Sequence, residues 1–277
     1  MKAVKNQVFL ITGATDGIGR GTARELARMS ATVLLHGRDA GRLSATRDEI
    51  ARSTGNKRLE TYRADFASLA EVRRLADEVR NRHDRLDVLI NNAGIGAGFR
   101  KNQRRATSAD GYELRFQVNH LAPFLFSHLL LPLLYRATPA RIVNVASAAQ
   151  APIDFDDVML ERGYDGFRAY SQSKLAMVMA TFELAERLDP KEVTVNCLHP
   201  GSLLDTKMVR EGWGTPMGPV ETGIKSELYV GTSLELEGVT GQYFDETRSG
   251  RAHAQAYDSE SRRKLWQMSE SLTGLED

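Results

Sequence analysis

Tyr170 and Lys174 stand four residues apart in the run Tyr170-Ser171-Gln172-Ser173-Lys174, and in a helix both fall on one face. A phenol with an unperturbed pKa of about 10 is a poor acid–base group at neutral pH, and a neighbouring ammonium favours its phenolate and brings that value down. The pair suits proton exchange with an oxygen whose carbon gains or loses a hydride, which is reduction of a carbonyl or oxidation of an alcohol. Ser147 follows the strand-like run Arg141 to Val145. That places a hydroxyl at the carboxyl end of a strand, where open α/β sheets bind their ligands, and where it would hydrogen-bond a substrate oxygen. The plainer role of such a serine is to cap the next turn. Tyr-x3-Lys pairs also arise by chance, so context has to decide.

A second group supplies that context. Gln7 to Ile11 runs into Thr12-Gly13-Ala14-Thr15-Asp16-Gly17-Ile18-Gly19 and then a helical pattern. Glycines permit φ > 0 and close backbone approach, while the free amides and positive dipole end of a helix attract a diphosphate. The spacing is Gly-x3-Gly-x-Gly, not Gly-x-Gly-x2-Gly, and a glycine triplet can also serve tight strand-to-helix packing. The second strand ends Leu35-His36-Gly37-Arg38-Asp39. An NAD-specific fold places an acid there, on the ribose hydroxyls. Arg38, with Arg20 as a second cation, would instead pair with a 2′-phosphate, so NADP(H) is preferred over NAD(H), which stays possible because Asp39 pulls the other way.

Stepping outward, short apolar runs alternate with amphipathic stretches. Strands are expected at Gln7–Ile11, Thr32–Leu35, Val88–Ile90, Arg141–Val145 and Val193–Leu198. Helices are expected at Gly19–Met29, Ala40–Ser53, Leu69–Arg80, Gly111–Leu131 and Ala169–Arg187. Near-continuous apolar strands alternating with helices imply a parallel sheet covered on both faces by right-handed crossovers, an α/β doubly wound fold. The 277 residues show neither a repeat nor a Pro/Ser-rich linker, so one domain is expected over 1–277. Gly201 to Gly223 is rich in glycine and proline yet carries Leu203, Leu204, Met208, Trp213 and Met217, which reads as an apolar substrate lid.

Thirty-seven basic against 36 acidic residues leave a net charge of +1, which gives no bulk-charge argument for nucleic acid or an anionic membrane. The longest apolar run, Leu121 to Leu134, is interrupted by Pro123, Ser127, His128 and Pro132 and falls short of the roughly 20 residues of a membrane span. No span is expected, no cleavable leader is evident, and a cytoplasmic location follows. Cys197 has no partner for a disulfide or a CxxC site, and the six histidines show no metal-ligand spacing, so no metal is expected.

These residues together resemble the short-chain dehydrogenase/reductase family. The matching elements are Thr12-Gly13-x3-Gly17-Ile18-Gly19, Asp65 after the third strand, Asn91-Asn92-Ala93-Gly94, Asn119, Ser147, Tyr170-x3-Lys174 and Pro200-Gly201, in the family's order. Val118-Asn119-His120-Leu121, Ile153-Asp154-Phe155-Asp156-Asp157 and Gly241-Gln242-Tyr243-Phe244 are similar to its retinol-dehydrogenase-like branch. The resemblance spans almost the whole chain and implies a Rossmann-type domain with a seven-stranded parallel sheet. It implies Tyr170 as the acid–base residue, Lys174 on the nicotinamide ribose, Ser147 on the carbonyl, and Asn119 positioning a relay water. Gly13, Gly17 and Gly19 would wrap the diphosphate, with Thr15, Asp16 and Ile18 of the same turn among the cofactor-binding residues. Asp65 would contact adenine, Asn91, Ala93 and Gly94 would line the cleft, and Pro200 with Gly201 would flank the carboxamide.

Two departures stand out. Between Ser147 and Tyr170 lie 22 residues, against about a dozen in many members, so an inserted loop is expected over 150–168. Thr206 falls one residue later than the threonine of the usual Pro-Gly-x3-Thr pattern, which puts its cofactor contact in question. The expected activity is NADP(H)-dependent hydride transfer between a nicotinamide and a carbonyl or alcohol of an apolar substrate. A non-catalytic NADP(H)-binding regulatory protein and a reductase of conjugated C=C bonds are the alternatives. A small-molecule substrate and a homodimer are the expected partners.

Overall fold

The computed structural model describes residues 3–98, 104–212 and 214–275, so Trp213 of the expected lid lies outside the described residues. The chain alternates strand and helix: β1 Val8–Ile11, α1 Gly17–Arg28, β2 Thr32–Gly37, α2 Ala40–Thr54, β3 Leu59–Arg63, α3 Leu69–Arg82 and β4 Val88–Asn91. There follow α4 Leu114–Phe116, a π-turn Gln117–Leu121, α5 Ala122–Ala137, β5 Ala140–Val145, α6 Gly166–Arg187 and β6 Val193–His199. The chain closes with α7 Lys207–Gly212, α8 Val220–Thr232, β7 Tyr243–Asp245, β8 Arg248–Ser249 and α9 Ser259–Thr273.

One sheet runs in the order β3-β2-β1-β4-β5-β6-β7-β8. The first seven strands are mutually parallel, as expected, and the eighth is a two-residue return antiparallel to β7. The expected count of seven is therefore corrected to eight, because a two-residue strand carries no hydrophobic period to read. Period-two alternation splits the core. Leu10, Leu34, Leu89 and Ile142 face α3, α5, α6 and α9, while Phe9, Ile11, Val33, Leu35, Ile90 and Val143 face α1, α2 and α8. Each fully buried leucine or isoleucine contributes about 1.5–3 kcal/mol relative to exposure.

The expected helix over Gly111–Leu131 starts three residues later and runs six further, to Ala137. Glu113 sets the start, its Oε2 accepting from Phe116 N at 2.7 Å. The continuous run Leu114–Ala137 is long and apolar enough to cross a membrane by length and composition, an 18-residue window in it having a mean hydropathy of 1.3, but 72% of that window is buried within the fold. Packing between the sheet and α3 accounts for its apolar character. The inserted loop ends earlier than expected, since Asp165 caps α6 by accepting from Arg168 N and the helix begins at Gly166. Over 201–223 the chain is not a plain loop: it holds α7 and the start of α8.

Candidate active site

The sheet order reverses between β1 and β4, and there the loops after the two strands diverge to leave a crevice. Hydrogen bonds stitch its floor. Thr12 N donates to Ile90 O at 3.0 Å, Ala93 N donates to Thr12 Oγ1 at 2.9 Å, and Asn92 Nδ2 donates to Thr12 O at 2.8 Å. Gly13 and Gly17 adopt φ of +68° and +51°. A Cβ on Gly19 would lie 2.3 Å from Asn92 Nδ2 and 2.7 Å from Gly13 O. The turn therefore needs its glycines, and it presents the first-turn amides of Ile18 and Gly19, which have no intrahelical acceptor. That cradle fits a diphosphate.

The reactive cluster sits beside this crevice, at the carboxyl ends of β5 and β6. Tyr170 and Lys174 lie one turn apart on α6, with the Lys174 ammonium 5.9 Å from the Tyr170 ring centroid. Ser147, two residues past β5, hydrogen-bonds the Tyr170 phenol. Lys174 Nζ donates to Val145 O at 2.7 Å, and burial pushes its pKa down to about 8. Burial raises the Tyr170 pKa, and the Ser147 hydrogen bond opposes that rise. The lowering expected from the lysine is not what the folded chain shows, because desolvation of the buried phenol dominates.

Asn119 is fully buried on the π-turn. Its Oδ1 accepts from Ile95 N at 2.8 Å, and its Nδ2 donates to Ser173 Oγ at 2.9 Å and to Ile95 O at 3.1 Å. The backbone of Gly94 is pressed between Asn119 and Lys174, since a Cβ there would lie 3.1 Å from Asn119 Oδ1 and 3.5 Å from Lys174 Nζ. Pro200 and Gly201 follow β6, with Gly201 at φ +123°. Asn119, Ser147, Tyr170, Lys174, Gly94 and the glycine turn thus gather at the carboxyl ends of the central strands β1, β4 and β5.

Asn91 is corrected. As the last residue of β4 it alternates into the core, where its Nδ2 donates to Ser127 Oγ at 2.9 Å and Asn144 Oδ1 at 2.8 Å, so its side chain does not line the crevice. The next residue, Asn92, faces the glycine turn instead, its Nδ2 donating to Thr12 O at 2.8 Å and Gly13 O at 3.2 Å. Arg20 is also corrected as a second free cation: one turn into α1, its guanidinium reaches across to Glu49 of α2. The cation that sits at the turn is Arg42, whose Nη2 donates to Asp16 Oδ2 at 2.8 Å and Thr15 O at 3.3 Å. Asp39 caps α2 by accepting from Arg42 N at 2.7 Å, while Arg38 is exposed at the end of β2. Asp65 follows β3 and accepts from Ala67 N at 3.0 Å. Thr206 turns its methyl toward Gly17 and its hydroxyl toward Val209 N, capping α7.

His36 was missed. Its Nε2 faces Ala64 O at 3.1 Å, which makes that nitrogen the donor and leaves Nδ1 to accept from Gly13 N at 3.4 Å. Burial lowers its pKa to about 4, so a neutral imidazole bolts the glycine turn to the exit of β3. Only its place, directly before Gly37 and Arg38, hinted at this.

A crevice lined by glycine amides beside a buried serine, tyrosine and lysine defines a nucleotide-dependent oxidoreductase. The sequence model of the family described as short chain dehydrogenase matches residues 7–215, and the chain belongs to that family. Among curated relatives, human retinol dehydrogenase 14 is 38% identical over 97% of this chain and 87% of its own length. Human retinol dehydrogenase 13 is 37% identical over 99% and 86%. Among solved structures, a short chain dehydrogenase from Escherichia coli CFT073 complexed with NADPH superposes with a TM-score of 0.72 at 27% identity, covering 87% of this chain and 96% of that one. One from Shigella flexneri 2a complexed with NADP gives a TM-score of 0.69 at 26% identity over 87% and 97%. The chain is an oxidoreductase acting on CH–OH groups with NAD(P).

Proposed function

We propose that this enzyme prefers NADP(H) and interconverts a carbonyl and an alcohol on an apolar substrate, with Tyr170 as its acid–base residue. The observation that carries the reading is the Ser147–Tyr170 hydrogen bond with the Lys174 ammonium one helical turn away, all buried at the crevice. A nicotinamide held in the crevice would supply or accept the hydride. Tyr170 then gives its proton to the substrate oxygen in reduction and takes it back in oxidation, and Ser147 holds that oxygen by hydrogen bonding. Lys174 would hold the nicotinamide ribose and stabilises the phenolate that proton transfer leaves. Asn119, held near Lys174 around Gly94, positions a water that links Lys174 to solvent as the proton relay.

Three features support the preference for NADP(H). The only acid directly after β2, Asp39, is engaged as a helix cap, Arg38 stands exposed beside it, and Arg42 offsets the charge of Asp16. Met208, packed against Gly96 of the strip after β4, together with curated relatives named for retinol, supports an apolar substrate.

The test is NADPH consumption with a panel of aldehydes, ketones and enones. Turnover of aldehydes or ketones is expected. Turnover of enones alone would make the enzyme a C=C reductase, and tight NADPH binding without any turnover would make it a sensor. Arg38→Ala should weaken NADPH by at least about tenfold more than NADH, and equal losses would remove the cofactor assignment.

A further inference from the structure

We propose that Arg115 is a positioning residue that fixes the substrate side of the crevice by tying its wall to the inserted loop. This rests on the functional reading above, and it concerns a residue given no role there. Arg115 is 9% exposed and sits one helical turn before Asn119. Its Nε donates to Gly96 O at 2.9 Å and its Nη2 to Ala97 O at 2.8 Å. Asn119 holds both polar groups of Ile95. Two side chains from one helical segment therefore grip three consecutive residues of the strip after β4.

The other end of the guanidinium reaches the insertion. Arg115 Nη1 donates to Tyr164 Oη at 2.5 Å, Tyr164 Oη donates to Glu113 Oε1 at 2.9 Å, and Glu113 closes the triangle with Arg115 at 3.4 Å. Glu113 is 1% exposed. A buried carboxylate and guanidinium that satisfy each other while also binding backbone hold their geometry tightly, and removing one leaves the other unpaired.

The gripped strip is also the seat of the segment after β6. A Cβ on Gly96 would lie 2.9 Å from Met208 Cγ, and one on Gly212 would lie 3.8 Å from Gly98 N. On the opposite side of the crevice, Thr206 meets Gly17. The α7 segment thus bridges the crevice from the diphosphate turn to the strip that Arg115 holds. Release of Gly96 and Ala97 would loosen the substrate wall and the α7 seat while leaving the glycine turn, stitched by Asn92 and Thr12, in place.

The experiment compares Arg115→Gln, Arg115→Lys and Tyr164→Phe in the full chain. Arg115→Gln should raise KM for the carbonyl substrate at least about tenfold, change kcat by less than about threefold and leave NADPH affinity within about twofold. Arg115→Lys, which keeps the charge beside Glu113 and a donor for one carbonyl, should recover most of that loss. Hydrogen–deuterium exchange should rise at 93–98 and 206–212 in Arg115→Gln, and at 155–165 but not 93–98 in Tyr164→Phe. KM within about twofold of the parent, or NADPH affinity falling as much as KM rises, would overturn the proposal. So would a rise in exchange spread across the sheet, which marks a purely structural residue. Exchange needs no turnover, so if no carbonyl is reduced the functional reading fails while the exchange pattern still decides the role of Arg115.

Discussion

Glu227 of α8 lies fully buried against α1 with the Thr22 hydroxyl beside it, and burial pushes its pKa from 4.5 up to about 8. The folded chain therefore holds a proton that the unfolded chain releases near pH 4.5. Between those values the folded state binds more protons, so this contribution to stability is complete below about pH 4.5 and is lost as pH rises through about 8. Glu227→Gln, which stays neutral, should flatten that slope and raise Tm at pH 8 by several degrees. Thermal unfolding of both proteins from pH 5 to 9 checks this, and parallel Tm profiles would show that Glu227 does not titrate in that window.

Lys174 and Tyr170 set a second pH dependence. Lys174 sits near 8 through burial, whereas burial holds the Tyr170 proton in place at neutral pH. Carbonyl reduction needs both the phenol proton and the lysine charge, so kcat/KM in that direction should be level below about pH 7 and fall above about 8. Lys174→Arg should move that falling limb upward if the protein still binds NADPH. Tyr170→Phe should lower kcat by about 10²–10⁴ with NADPH affinity nearly intact. A limb that stays in place in Lys174→Arg would assign it to another group.

Much of the fold was legible because strands buried on both faces read as apolar runs, as Val88 to Ile90 and Arg141 to Val145 do. β3 gave no such run, since Leu59-Glu60-Thr61-Tyr62-Arg63 is an edge strand buried mainly at Leu59 and Tyr62. Tyr170, Lys174, Ser147 and Asn119 were legible from spacing and order. Arg42, His36 and Arg115 were not, because each acts through a contact more than a dozen residues away in sequence, with Asp16, Gly13 and Gly96 respectively. Arg20, expected as a cation at the turn, and Arg42, which sits there, illustrate the limit. Both are arginines near the turn, and only the packing of α1 on α2 puts Glu49 within reach of the first.

Gly19 separates cofactor binding from folding. An alanine there would drive its Cβ into Asn92 Nδ2 and Gly13 O, so the loop after β4 or the glycine turn must move. Gly19→Ala should weaken NADPH and NADH alike, by at least about tenfold, because the distortion falls on the shared diphosphate cradle and not on Arg38. Binding titrations with both nucleotides check it. A selective loss of NADPH alone would mean that the turn does not hold the diphosphate.

Trp266 tests what α9 adds to the domain. It is 3% exposed, packs edge-on against Phe124 at 4.9 Å and His128 at 5.1 Å between ring centroids, and lies under the Arg187 guanidinium at 4.2 Å. Nearby on the same helix, Ser269 Oγ hydrogen-bonds His120 Nε2 at 2.8 Å, which joins α9 to the residue directly after Asn119. Trp266→Ala should cost about 3–5 kcal/mol through lost burial and the cavity left behind. The same variant should raise exchange along the π-turn that carries Asn119, so activity should fall at temperatures where the protein is still folded. Denaturant unfolding measures the first effect and hydrogen–deuterium exchange the second. A loss under about 1 kcal/mol would mean that α9 rests on the domain without supporting it.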